Sequence, residues 1–408
     1  MITIGKIPEK IKGFFQPVRA EFRSASWGHF WGLVLAIAIG SCSTVDRLAR
    51  LLRNSTHRTN HGEFLWRSVW SESFVLQQIA LETLNRLRRK DGGKCYLIID
   101  ETQTLKRAKK MAGVRKLYHH ATGKYGTGHT MVKVCLWYRG VTIPWGVALC
   151  LKKDDAKKQD EPFLRQTQLA ALAVHSAALP SWVDVVVLFD AYYLCEVVVD
   201  ACQARGWHYI GVGKGNRNFT VDGQRRRLDR YGANVLRRDG RWNHIQGLCK
   251  GGTYRLASRV GYMKKLGEVK AVFSRRRGEQ KVIALVTDDR GASMKNVVAD
   301  YLKRWAIELL IKDEKQQLGL GDYRVLRYRA VVRHLHLVDI AYACLTRLAL
   351  DDQDEQGQRK TDKVLRLPPI SQVKAMMRQV VWREAIKDVV KHSHEKPVIR
   401  RLEKLLAA

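Results

Sequence analysis

The run "VDVVVLFDAYY", residues 183–193, constrains this chain more than any other. Six of its first seven residues are apolar, five of them β-branched or aromatic, and this apolar stretch stops at an aspartate, Asp190. A strand apolar on both faces must be covered on both faces, which is the situation of a central strand in an α/β sheet. A second short run, "KCYLIID" (94–100), has the same form and the same ending. The segments around them alternate between strand and helix patterns. "HTMVKVCLWYRG" and "VTIPWGVALCLKK" read as a strand pair turning at Gly140, "PFLRQTQLAALAVHSAAL" as a helix, "LCEVVVDACQARG" as a helix stopped by Gly206, and "HYIGVGKG" as a strand. The order is β-β-β-α-β-α-β.

Each of the two apolar runs ends on an acid, Asp100 and Asp190. In open α/β sheets functional groups gather at the carboxyl ends of the strands. Two carboxylates on neighbouring strands form an oxygen-rich site of the kind hard divalent cations prefer. A lone Asp at a strand end is an ordinary turn residue; the pair, in this order and in so basic a chain, points to chemistry.

The basicity is large: 73 Lys+Arg stand against 39 Asp+Glu, a net charge of +34 over 408 residues. Such an excess fits a polyanionic partner, and nucleic acid foremost. The runs "KRAKK" (106–110), "QRRRLDR" (224–230), "RRDGR" (237–241) and "SRRRG" (274–278) would flank the two acids as a phosphate-tracking surface. His119 and His120 in "KLYHHATGK" are read as DNA-contacting or structural, since magnesium avoids imidazole. Eight cysteines show no CxxC pair and several sit in apolar runs, which favours reduced thiols in the cytosol. "FWGLVLAIAIG" (30–40) is too short for a comfortable membrane span and reads as a buried helix.

Five regions follow from these patterns: a helical region at 1–92, expected to bind DNA; a first core segment at 93–215; a basic, Gly-containing β-rich insertion at 216–290; a second core segment at 291–345 with one long helix from about 293 to 318; and a helical C-terminal region at 346–408, broken by a polar loop at 351–362.

The long helix holds "YLKRWAIELLIKDEK", residues 301–315. At about 100° per residue from Tyr301, Arg304 lies at about −60°, Glu308 at about −20° and Lys315 at about −40°, whereas Glu314 lies at about +220°. Glu308, flanked by Ile307, Leu309, Leu310 and Ile311, is expected beside the core and paired with Arg304. Glu314 is expected on the opposite face, away from the chemistry.

The spacing Tyr301-x2-Arg304-x3-Glu308-x6-Lys315 resembles the Y-R-E-K signature of bacterial insertion-sequence DDE transposases. "IIDET" and "LFDAYY" resemble that family's two aspartate strands, "YIGVGKGNRNF" the strand leading into its insertion, and "QQLGLGDYR" the segment after its signature helix. The resemblance spans about residues 94–345. It implies a ribonuclease H-like mixed sheet flanked by helices and interrupted by a β-rich insertion domain. It implies a metal-binding catalytic triad of Asp100, Asp190 and Glu308, holding two magnesium ions or manganese in their place. DNA contacts are implied for Tyr301, Arg304, Lys315, Trp242, Lys214 and Arg324. Trp242 suits base stacking and a structural place in a β-subdomain equally. The implied partners are double-stranded DNA, as transposon ends and target, and a second copy of the chain, with no membrane. The implied location is the bacterial cytoplasm, at the nucleoid. The alternatives are a nuclease of the same fold without strand transfer, and a transposase-derived protein that only binds DNA.

Overall fold

A computed structural model describes residues 4–52, 57–108, 110–119, 121–357 and 364–391. His120, Lys109, the 358–362 part of the expected loop and the final segment from 392 lie outside the described residues. Short helical turns at Glu9–Ile11 and Gln16–Glu21 accompany α1 (Lys12–Phe15). There follow α2 (Ser24–Ile39), α3 (Val45–Arg50), α4 (Arg58–Arg67) and α5 (Glu72–Arg86). Next come β1 (Gly93–Leu105), β2 (Arg115–His119), β3 (Lys124–Tyr138), β4 (Val141–Leu149), α6 (Lys153–Lys158), α7 (Gln166–His175), β5 (Val183–Phe189), α8 (Glu196–Ala204) and β6 (His208–Gly213). The chain continues through β7 (Asn218–Val221), β8 (Gln224–Arg227), α9 (Leu228–Asp239), β9 (Arg241–Ile245), β10 (Gly252–Met263), β11 (Gly267–Arg276) and β12 (Ile283–Thr287). It closes with α10 (Met294–Tyr301), a 3-10 turn at Leu302–Arg304, α11 (Trp305–Gln317), α12 (Tyr328–Glu355) and α13 (Ile370–Lys391).

Among the described residues the strands form one mixed sheet in the order β2-β3-β1-β5-β6-β12-β11-β10-β7-β8, with β4 also on β3 and β9 on β10. β1, β5 and β6 run parallel; the other pairs are antiparallel. The region expected as a separate β-rich insertion instead extends this sheet, because β12 returns to pair with β6. It also contains α9, whose Leu228, Gly232, Val235 and Leu236 are buried. The arginines of "QRRRLDR" and "RRDGR" mask that apolar stripe in the sequence.

The period-2 alternation of β1 and β5 decides which layer covers which face. Tyr96, Ile98, Val186 and Leu188 join one core with α2, α5 and α12, while Cys95, Leu97, Ile99, Val185 and Val187 join the other with α7 and α8. The parity of Tyr96 and Ile98 puts Asp100 on the first of these faces. The helices of the 1–92 region are part of that same core, so they are not an independent module. Arg333 of α12 staples them down, donating to the carbonyls of Phe64, Leu65 and Trp70 and pairing with Glu72 at 3.2 Å. The 30–40 run is the buried half of α2, and no described helix is long and apolar enough to cross a membrane.

A candidate active site on β1, β5 and α11

Asp100 does not end its strand. β1 runs on to Leu105, because β3 keeps pairing with residues 101–105. What ends at this level is the parallel neighbour: Ile99 pairs with Phe189, the last residue of β5, and Asp190 follows. The two acids therefore emerge side by side. Asp190 is set by its own turn, its Oδ1 accepting from the backbone N–H of Tyr192 (2.8 Å) and of Tyr193 (3.3 Å). Asp100 Oδ1 accepts from the backbone N–H of Glu101 at 2.8 Å.

The long helix expected across 293–318 is broken by the 3-10 turn at Leu302–Arg304. Asp300 anchors the break to β1. Its Oδ1 accepts from the Tyr96 hydroxyl (2.6 Å) and Lys303 Nζ (2.6 Å), and its Oδ2 from Lys94 Nζ (3.0 Å). That clamp puts Arg304 over the strand ends. Arg304 Nη1 donates to Asp100 Oδ2 at 2.7 Å, and its Nη2 donates to Glu308 Oε1. One planar guanidinium thus joins the second acid-bearing element to the first, as its forked donors allow. The Tyr301 ring lies 5.9 Å from the same guanidinium carbon.

Burial raises the Asp100 carboxyl to about 6; Arg304 and the Glu101 N–H oppose this, while Asp190 and Glu308 add to it by like-charge repulsion. Asp100, Asp190 and Glu308 thus share one electrostatic neighbourhood. Burial also lifts the Tyr301 phenol to about 12. The Arg304 guanidinium holds its proton more tightly than usual; burial opposes this, and Tyr301, Asp100 and Glu308 outweigh it.

The two glutamates of α11 exchange the environments expected of them. Glu308 is at the rim, its side chain about a third exposed (31%). Glu314 is fully buried, 2.9 Å from Lys133 Nζ, which also pairs with Asp339 of α12. The wheel separates the glutamates correctly, but the face opposite Glu308 is the one laid on the sheet. Lys133, read as one residue of an apolar strand, is the counter-charge no helix-only reasoning supplies.

Other candidates are dispersed. Lys214 is exposed, its Nζ 5.9 Å from the centroid of the Tyr192 ring beside Asp190. Lys315 and Arg324 are exposed on and just after α11. Trp242 is half-exposed on β9, opposite Arg255 of β10. Sequence reading missed Lys250, whose Nζ sits 4.3 Å from the Trp305 ring centroid and brings the β9–β10 turn to the start of α11. The Lys-Gly-Gly at 250–252, next to no acid, was the available signal.

Among the described residues no three of His, Cys, Asp and Glu stand close enough together to hold a metal ion. The donor set still suits one, since it is carboxylate oxygen throughout. The guanidinium of Arg304 lies between Asp100 and Glu308, hydrogen-bonded to both.

No curated protein matches the chain. A family model described as DDE superfamily endonuclease matches residues 31–241, just over half of the chain. The match takes in Asp100 and Asp190 and stops short of α10 and α11. With two acids inside the matched span, side by side on adjacent parallel strands, the chain belongs to the DDE superfamily endonucleases.

Proposed function

We propose that this protein is a cut-and-paste DNA transposase of the bacterial cytoplasm, working on the ends of an insertion sequence as a pair of protomers. The observation that carries the reading is that Arg304 joins Asp100 of β1 to Glu308 of α11, while Asp190 follows the end of the adjacent parallel strand β5. The strand order β4-β3-β1-β5-β6, an antiparallel meander extended by two parallel strands, supports a ribonuclease H-like core. The +34 charge supports a DNA substrate.

Asp100, Asp190 and Glu308 are the residues that would hold divalent magnesium or manganese. Bound there, the metal would activate a water or 3′-hydroxyl and neutralise charge on the attacked phosphate. The chain supplies position and charge. Arg304 keeps Asp100 and Glu308 from repelling one another and offers guanidinium donors to a phosphate. Lys214 brings a cation beside Tyr192 and Lys250 one beside Trp305, while Lys315 and Arg324 extend the basic surface past α11. Trp242 is exposed enough to meet a base. In the cut, a water oxygen bonds to phosphorus and the P–O3′ bond breaks, freeing a 3′-hydroxyl. In joining, that hydroxyl attacks a target phosphate and displaces another 3′-oxygen.

A plasmid carrying the coding region with its flanking DNA, incubated with protein and Mg2+, tests this. Excised fragment joined to a second plasmid is the expected product. Cutting without joining would mean a nuclease, and binding without cutting a DNA-binding derivative.

A further inference from the structure

β2 and β3 form a hairpin at one edge of the sheet, and no step described so far uses it. From Glu101 to Asp154 the sequence contains no acid between, yet it has eleven Lys or Arg. The hairpin lies within this run. Tyr118 and Tyr125 are cross-strand partners, ring centroids 5.4 Å apart, and both are exposed at 45% and 72%. Lys116, on the same side of β2 as Tyr118, holds its Nζ 5.3 Å from the Tyr125 ring. Among the described residues Arg115, Lys116 and Lys124 enter no salt bridge. Two large aromatic rings held in water beside unpaired cations are what a nucleic-acid contact needs and what a stable edge strand does not.

The base of the hairpin is fixed. Leu117 is buried, and at Gly126 and Gly128 a Cβ would meet Leu105 Cδ2 at 2.8 Å and the Thr104 carbonyl oxygen at 2.2 Å. Only glycine lets β3 lie this close to the end of β1. Lys106 Nζ ties the same base to the carbonyls of Gly321 (2.6 Å) and Tyr323 (2.9 Å), in the segment after α11. The arm is thus tied to β1 and to the segment that follows α11.

Register also gives its direction. Asp100 is opposite Lys133, and odd residues of β3 share that face, so Tyr125 lies on the face of Asp100, eight residues along. At about 3.3 Å per residue this is roughly 26 Å, or about eight steps of a DNA strand.

We propose that Lys116, Tyr118, Lys124 and Tyr125 form a DNA-gripping arm that engages duplex DNA within about eight base pairs of the scissile phosphate. Lys116 and Lys124 contact phosphates; the tyrosine pair packs on sugar and base edges. The inference rests on the transposase reading, and the test separates the two. Full-length Asp100→Asn protein, which cannot cut, is titrated in EDTA with a fluorescent 40-base-pair duplex at several NaCl concentrations. Lys116→Ala and Lys124→Ala should each lower the slope of log K against log salt by about 1. Tyr118→Ala with Tyr125→Ala should weaken binding about tenfold, at an unchanged thermal midpoint. Photocrosslinking to iodo-substituted duplex should label Tyr118 or Tyr125. Unchanged affinity and slope in these variants, with duplex bound normally by the parent, would overturn the arm alone. So would a change in oligomeric state in place of DNA affinity. No duplex binding by the parent protein at any salt would overturn both readings.

Discussion

Lys133 stands directly opposite Asp100 in the β1–β3 ladder, and both its charge partners, Glu314 and Asp339, belong to the helices that cover that face. All three side chains are completely buried. Burial pushes the Glu314 carboxyl well above its usual range, against the attraction of Lys133 and aided by Asp339. One lysine charge thus faces two carboxylates, which strengthens the hold of Glu314 on its proton. The cluster fixes how α11 sits on the sheet, and so where Glu308 points.

Breaking such a cluster on one side costs more than removing it. Lys133→Met or Glu314→Ala should destabilise the protein by about 3–5 kcal/mol in urea unfolding, whereas the triple change Lys133→Met, Glu314→Leu, Asp339→Leu should come within about 1–2 kcal/mol of the parent. Glu314→Gln, an uncharged mimic of the protonated acid, should be mild. A triple variant as unstable as the singles would contradict the electrostatic account.

If Asp100 and Glu308 hold a divalent cation as proposed, Arg304 would compete with it for both carboxylates. Arg304→Gln should bind Mn2+ more tightly than the parent when no DNA is present, read by electron paramagnetic resonance. The same variant should cleave at least about a hundredfold more slowly, because a donor to developing phosphate charge is gone. Equal Mn2+ affinity in the two proteins would speak against the guanidinium as a stand-in.

Asp100 makes stability depend on pH in a defined sense. Its folded pKa is about 6, above its unfolded value, so the folded state binds the extra proton. Stability from this group is present below about pH 4 and lost as pH rises to about 6, by roughly 3 kcal/mol in metal-free protein. The difference between parent and Asp100→Asn in urea midpoint should therefore change across that window and level off above it. A constant difference from pH 4 to 7 would refute the raised pKa.

Arg333 is buried with four partners on α4, α5 and the turn between them. Arg333→Met should cost about 3 kcal/mol or more by stranding three carbonyls and Glu72. Limited proteolysis should then release the N-terminal helices first. Cleavage elsewhere first would mean they are held chiefly by apolar packing.

Most of the β-α order from β1 to β6 was legible because strands apolar on both faces and helices with Gly stops are local patterns; the short β2 and α6, built largely of polar residues, were not. Asp100 and Asp190 were legible for the same reason. The continuity of the sheet through β12 was not, since pairing with β6 across more than seventy residues leaves no local trace. Nor was the burial of Glu314, because its partners Lys133 and Asp339 are distant in sequence and each looks unremarkable alone. The kink at Leu302–Arg304 comes from the Asp300 clamp on Tyr96 and Lys94, again a long-range contact. Glu308 was found by spacing, but its expected burial was not, as the flanking Leu309 is itself partly exposed.

The central claim is that Asp100, Asp190 and Glu308 act together on DNA. Its most direct test is Mg2+-dependent cleavage of a duplex carrying the DNA that borders the coding region, by the parent and by Asp100→Asn, Asp190→Asn and Glu308→Gln. Each substitution should abolish cleavage, by about a thousandfold or more, with duplex affinity within about threefold of the parent. Retention of cleavage by any one of the three variants would contradict it.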